Sequence, residues 1–272
     1  MNSSHKGIVP PRISRKQIIN LAEGLVRSYF TTVGRKFQRL GVSFDAIYEE
    51  FIYPQYEIEL IEDEYLGSGD DDDEMLGAYE PATNRVFVDA RLRENNDPRR
   101  VFTCWHEVGG HAILQGDWLR SQLNQKSRDR TVVTTASMFS PNVESVLERQ
   151  ANLYASHAAA PTWLVGYAIH RCFGVTRPLR YIGPRKYSFA LRSGTRTHAV
   201  DSFPEYCYWI SRYIQRWFGK LSVEALSYRV ADSTWVADLT NRTARRDTEF
   251  RLHRTSRSRA ERVLPSAVYS AP

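Results

Sequence analysis

The stretch Phe102-Thr-Cys-Trp-His106-Glu107-Val-Gly-Gly-His111-Ala-Ile-Leu114 places two imidazoles and a carboxylate close together. A zinc hydrolase needs neutral imidazoles converging on one ion, plus a carboxylate that takes a proton from water. On an α-helix, histidines four apart meet that need because they share a face. Here they are five apart, which on an ideal α-helix sets them roughly 140° from one another. Gly109 and Gly110 supply the remedy. Glycine accepts backbone conformations other residues resist, and a single π-bulge there absorbs the extra residue and returns His111 beside His106.

A third ligand is expected on a downstream helix. Ser140-Pro141 suits a helix start, with Ser as cap and Pro at the first position, and the pattern runs to about Ala159, before Pro161. Glu148 on that helix offers a carboxylate, and Asn152, one turn later on the same face, can bond a ligand histidine's other nitrogen. Glu144, one turn earlier, competes for the ligand role. Three protein ligands leave a fourth position open, as a catalytic zinc requires.

The run Arg99-Arg-Val-Phe-Thr-Cys-Trp-His-Glu-Val-Gly-Gly-His-Ala-Ile-Leu, with Glu148-Arg-Gln-Ala-Asn-Leu-Tyr-Ala, resembles the ImmA/IrrE family of intracellular zinc metallopeptidases. The likeness extends loosely from the first helix to about Leu239 and includes Phe218-Gly-Lys-Leu-Ser-Val-Glu-Ala-Leu-Ser-Tyr-Arg. It implies an α+β fold, a mainly helical zincin-like metallopeptidase domain with a small antiparallel β-sheet. It further implies Zn2+ on His106, His111 and Glu148, Glu107 as general base, and Asn152 in support. The implied substrate is a protein, typically a helix-turn-helix repressor, whose cleavage switches stress responses and transcription. The sequence departs from the family in three places: the motif is His-Glu-x-x-x-His, a spacing similar to that of dipeptidyl peptidase III; Ala158-Ala-Ala replaces a leucine-rich run; and two basic segments have no family counterpart. An oxyanion partner is also required; Tyr154, His157 and His198 are available, and the sequence selects none of them.

The elements that must position these residues are legible in outline. Ser14 and Gln17 have capping-box spacing, followed by Ile18, Leu21, Ala22, Leu25 and Tyr29 at helical period. A short helix is predicted from about Phe44 to Phe51, ended by Pro54. Tyr56 to Ile61 alternates like a half-buried strand, and two strands around Ala78-Tyr79 and Arg85 to Val88 flank a Pro-Ala-Thr-Asn turn. One helix is expected from about Arg99 to Leu114, then an irregular polar stretch from about Asp117 to Phe139. Ser202 to Phe218 and Ser222 to Val230 read as two more helices. His157 and His170 are expected to pack or cap, Cys104 to fill core, and Trp163, Trp209, Trp217 and Trp235 to be core.

Composition bounds the rest. The chain has 272 residues, 42% hydrophobic and 12% aromatic, which excludes a disordered tail protein or a disulfide scaffold. Three widely spaced cysteines, Cys104, Cys172 and Cys207, form no Cys-x-x-Cys pair, and a reducing cytoplasm is the expected location. No apolar run reaches a bilayer span, so no membrane partner is expected. The acids Asp70 to Glu74 read as a solvated loop lacking EF-hand alternation. Just before the 79–88 hairpin, they would favour a basic substrate laid along that edge. Residues 1–12 read as a flexible arm, 13–240 as one metallopeptidase domain with a basic insertion at 177–200, and 241–272 as a disordered Arg-rich tail. The net charge of +6 resides in those two basic segments. Two other function classes stay open: a non-catalytic zinc-binding regulator of the same fold, and a nucleic-acid binder acting through the basic tail. Oligomeric state is left open.

Overall fold

The computed structural model describes residues 9–34, 41–67, 74–126 and 141–240. It is α+β and mainly helical. The acids 70–73, the Ser140 cap and the tail 241–272 lie outside the described residues. The chain divides into two compact units, Met1–Pro161 with Trp217–Ser222, and Thr162–Arg216 with Val223–Pro272.

The first unit begins with helix α1, Arg15–Thr32, started by the Ser14–Gln17 capping box. Ile18, Ala22, Leu25, Val26 and Tyr29 are buried on one stripe, whereas Leu21, expected in that stripe, stays exposed. The next helix is longer than predicted: Phe44–Ile47 (α2) passes through a π-helical turn, Tyr48–Ile52, into Tyr53–Tyr56 (α3). Pro54 starts its last turn rather than ending the helix. Tyr56, read as the start of a strand, is therefore helical.

Strands β1, Glu59–Ile61, β2, Gly77–Glu80, and β3, Arg85–Val88, form a sheet in the order β1-β3-β2. The β2–β3 pair is antiparallel, as the turn residues predict, but β1 runs parallel to β3, so the sheet is mixed rather than antiparallel. Asn84 ties the two ends together: its side-chain amide donates to the carbonyls of Tyr56 and Glu57, and its carbonyl accepts from the Glu59 amide. The short helix Ala90–Glu94 (α4) follows, capped by Asp89.

Helix α5, Arg99–Cys104, runs straight into a ten-residue π-helix, Trp105–Leu114, and then into α6, Gln115–Lys126. The polar stretch read as irregular from Asp117 is thus helical as far as Lys126, held by Leu119, which is fully buried, and by Arg120 bonded to the Tyr79 hydroxyl. Helix α7, Pro141–Ala159, matches the predicted span and packs against α1 and the π-helix.

The second unit holds α8, Thr162–Phe173, strand β4, Leu179–Tyr181, a hairpin of β5, Arg185–Leu191, and β6, Gly194–Val200, then α9, Phe203–Ile214, α10, Val223–Asp232, and β7, Val236–Asp238. Ser202 caps α9 by accepting from the Glu205 amide. β4 pairs with β7 in parallel, and β5 with β6 antiparallel. Tyr187 and Phe189 of β5 pack their rings on Tyr206 of α9, at centroid distances of 4.7 and 5.5 Å. Of the four tryptophans expected in the core, Trp217 is buried, while Trp163, Trp209 and Trp235 are half-buried. All three cysteines are free and buried, and no helix among the described residues is long and apolar enough to cross a membrane.

Candidate metal centre

In a π-helix the backbone bonds from each residue to the fifth one on, so side chains five apart stand one above the other. That is the spacing of His106 and His111. Instead of the single bulge predicted, the whole segment Trp105–Leu114 takes this form. The imidazoles meet with their Nε2 atoms 3.0 Å apart.

The two glycines matter for a different reason from the one the sequence suggests. Neither Gly109 nor Gly110 has a positive φ. A Cβ on Gly109 would lie 2.4 Å from a ring carbon of Tyr154, and one on Gly110 would lie 2.5 Å from the Cα of Ala151. No side chain fits either gap. The glycines let α7 lie directly on the π-helix, and Glu148, one turn before Ala151, is thereby carried to the histidines. Its carboxylate oxygens sit 3.1 Å from His106 Nε2 and 3.2 Å from His111 Nε2.

The ligand atoms of His106, His111 and Glu148 all lie within 4.8 Å of one another. Tetrahedral zinc, with bonds of about 2.0–2.1 Å, holds its ligand atoms roughly 3.3 Å apart. The two imidazole nitrogens lie near that value from each other, and each lies near it from a different Glu148 oxygen, so the group can hold a metal ion. Glu148 is the member most open to solvent, with 40% side-chain exposure against 2% for His111, so the site is reachable from outside.

Both histidines are oriented from behind. His106 Nδ1 donates to Asn152 Oδ1 at 3.1 Å, and His111 Nδ1 donates to Gln115 Oε1 at 3.0 Å. The second bond has a fixed polarity. The Gln115 amide donates to the Leu147 carbonyl at 2.8 Å and, more weakly, to Gln150 Oε1 at 3.4 Å. Gln150 in turn donates to the Pro11 carbonyl. Backbone carbonyls only accept, so the amide of Gln115 must face them and its oxygen must face His111. His111 therefore carries a proton on Nδ1. Two Nε2 lone pairs left facing each other at 3.0 Å would repel. A cation or a proton belongs between them.

The electrostatics agree. Burial lowers the proton affinity of His111, but the Glu148 carboxylate bonded to it and the nearby Glu107 outweigh that, lifting its pKa to about 8. Burial acts on Glu148 in the opposite sense to its bonds with His106 and His111; the bonds prevail and hold its carboxyl well below the usual range. Glu107, buried beside His106 with an oxygen 3.9 Å from Nε2, is pushed up chiefly by burial, against the pull of both histidines. It keeps its place because β2 passes over it at a glycine: a Cβ on Gly77 would lie 2.7 Å from Glu107 Cγ.

The sequence-derived ligands His106, His111 and Glu148 thus come together, with Glu107 and Asn152 beside them. Glu144 is not part of the group. Of the three oxyanion candidates, Tyr154 packs its buried ring on Gly109, His157 bonds Glu23 at 2.9 Å, and His198 stacks on Trp209 in the second unit. None approaches the ligand cluster through a hydrogen bond. His170 bonds the Val175 carbonyl and caps α8, as expected. Two residues were missed, Gln115 and Gly77. Gln115 follows His111 by four, a helical spacing that marks it once α6 is known to continue the metal helix. Gly77 leaves no signal in the sequence, because only the fold brings it over Glu107.

No family model matches the chain, and no curated protein does.

Proposed function

We propose that the chain is a zinc-dependent endopeptidase of the ImmA/IrrE type, with a zincin-like first unit. The reading is carried by one observation: two imidazole nitrogens and a carboxylate converge within 4.8 Å of one another with a buried carboxylate beside them. A zinc ion on His106, His111 and Glu148 would polarise a scissile carbonyl and make water acidic enough to attack near neutral pH. Glu107 takes the proton from the attacking water and delivers it to the leaving amine. Its raised proton affinity suits that second task, since the acid must exist long enough to donate. Asn152 and Gln115 keep the ligand rings in the tautomer that leaves Nε2 free. The outer edge of β2, directly above Glu107, is where an extended peptide would pair as an added strand. A protein substrate, such as a helix-turn-helix repressor in a cytoplasmic stress or transcription response, fits this reading through the resemblance alone.

The test uses the full chain, with zinc content measured by elemental analysis and cleavage followed on a quenched-fluorescent peptide library. Wild type is expected to carry one zinc and to cleave. His111→Ala is expected to lose the zinc. Glu107→Gln is expected to keep it and to lose cleavage by a factor of roughly 10² or more. Zinc bound by a wild type that cleaves no peptide would replace this reading with a non-catalytic zinc regulator.

A further inference from the structure

The peptidase reading makes no use of segment 177–200, the basic insertion. In the structure it becomes β4 and the β5–β6 ribbon, and the register sorts its residues between two faces. Tyr187, Phe189 and His198 turn toward α9, where His198 stacks on Trp209 at 3.5 Å and bonds the Tyr213 hydroxyl at 2.6 Å. Lys186, Ser188 and Ala190 of β5 oppose Ala199, Thr197 and Thr195 of β6, and all six are exposed. This outer face carries small and hydroxyl side chains and no large apolar group, so it lacks the apolar anchors of a protein interface.

The charge on this segment is one-sided. Residues 177–200 contain six basic side chains and no acid. Among the described residues none of those six is in an ion pair, whereas Arg85, Arg91, Arg99, Arg100 and Arg120 of the first unit all are. Arg192 lies in the turn and Lys186 on the outer face, while Arg196 opposes Phe189 on the face turned toward α9 and still stays exposed. The next acids along the chain, Asp201 and Glu205, follow Val200 at the end of the ribbon away from the turn, where Glu205 accepts from the Asp201 amide, and Asp238 of β7 pairs opposite Tyr181 of β4.

We propose that the β5–β6 ribbon is a docking surface for double-stranded DNA. Seven-residue strands at about 3.4 Å per residue make a ribbon roughly 24 Å long. The major groove of B-form DNA, about 12 Å wide, admits a two-stranded ribbon, and Lys186 on the outer face, Arg192 at the turn and the exposed Arg196, reaching round from the other face, would meet phosphates. Duplex RNA is a poorer fit, because its major groove is deep and narrow. A single strand would need aromatic rings free for stacking, and the ribbon's rings are spent on α9.

The test is fluorescence anisotropy of the full-length protein with a labelled 30-base-pair DNA of mixed sequence, between 50 and 200 mM KCl. Wild type is expected to bind with a steep salt dependence. Lys186→Ala/Arg192→Ala/Arg196→Ala is expected to weaken binding roughly tenfold or more and to flatten the slope of log K against log salt by about one per lost phosphate contact. Unchanged zinc content and thermal midpoint would show that the variant is folded; Ser188→Glu/Thr197→Glu, which sets carboxylates on the outer face, is the second variant and is expected to abolish binding. The proposal is overturned if wild type does not bind at 50 mM salt, or if both variants bind like wild type. It is equally overturned if the loss appears only when the eight arginines of 241–272 are changed to Gln, or if duplex RNA or single strands bind more tightly. His111→Ala is expected to bind DNA like wild type, which keeps failure here separate from failure of the peptidase reading.

Discussion

The two units handle charge in opposite ways. The first, with the metal centre, has a net charge of −4, and the second +10, together the +6 of the chain. The contrast lies in pairing as well as sign, for although Arg229 pairs with Asp232 in the second unit, its basic segment 177–200 does not follow suit. In the first unit, Arg100 is 12% exposed and bonds Glu62 at 2.6 Å and Asp45 at 2.8 Å; a separate group joins Arg91 and Arg99 through Glu74. In the second, Arg177 to Arg196 stand in solvent without partners among the described residues. Charges locked into pairs hold the frame of the unit that carries the candidate metal centre. Charges left unpaired are available to something outside the molecule.

The largest expected effect tests that contrast directly. Arg100→Ala leaves Glu62 nearly buried with its main partner gone, and is expected to cost about 3–5 kcal/mol in denaturant unfolding. Arg192→Ala, by contrast, is expected to stay within about 0.5 kcal/mol. Equal losses would erase the distinction between the units. Next comes Gly110→Ala, whose new Cβ would have to displace Ala151 of α7. It is expected to lower stability by about 1–3 kcal/mol and to release zinc while DNA binding persists. A variant that keeps full zinc would show that α7 need not lie so close.

Smaller still is Gln115→Leu, expected to weaken zinc binding by roughly 10- to 100-fold in chelator competition, because His111 loses the acceptor that fixes its ring. The pH dependence has a definite sign. Without metal, the raised pKa of His111 contributes stability that is fully present below the ordinary value of 6.5 and disappears as pH rises through about 8. Zinc competes with that same proton, so its apparent affinity is expected to fall about tenfold per pH unit below 8. Thermal melts with and without zinc between pH 6 and 9 should therefore move in opposite directions; parallel movement would remove His111 from the site.

Much of this was legible beforehand because the signals are local. The Ser14–Gln17 cap, the 81–84 turn and the span of α7 depend on neighbours in the chain, as does the offset of Asn152 from Glu148. The parallel placement of β1 beside β3 was not legible, since it is fixed by Asn84 reaching across to Tyr56 and Glu57, a contact between residues 27 and 28 positions apart. Helix α6 was missed because its composition is polar; it holds by continuing the π-helix and burying Leu119. The close packing that Gly109 and Gly110 permit is not legible, as backbone freedom is visible in a sequence and a neighbouring helix is not. The division into two units left its trace only in the charge.

The π-helix has one more consequence. From Trp105 to Leu114 each backbone hydrogen bond reaches one residue further than in an α-helix. Removing Gly109 would therefore shorten the loop between the histidines to the ordinary four and let the segment rewind as an α-helix. His111 and Gln115 would stay four apart, so the ring would keep its acceptor. Chain length and helix type are here coupled variables: a one-residue indel trades one winding for the other around the same pair of imidazoles, a change that elsewhere in a helix would rotate every later side chain off its partner.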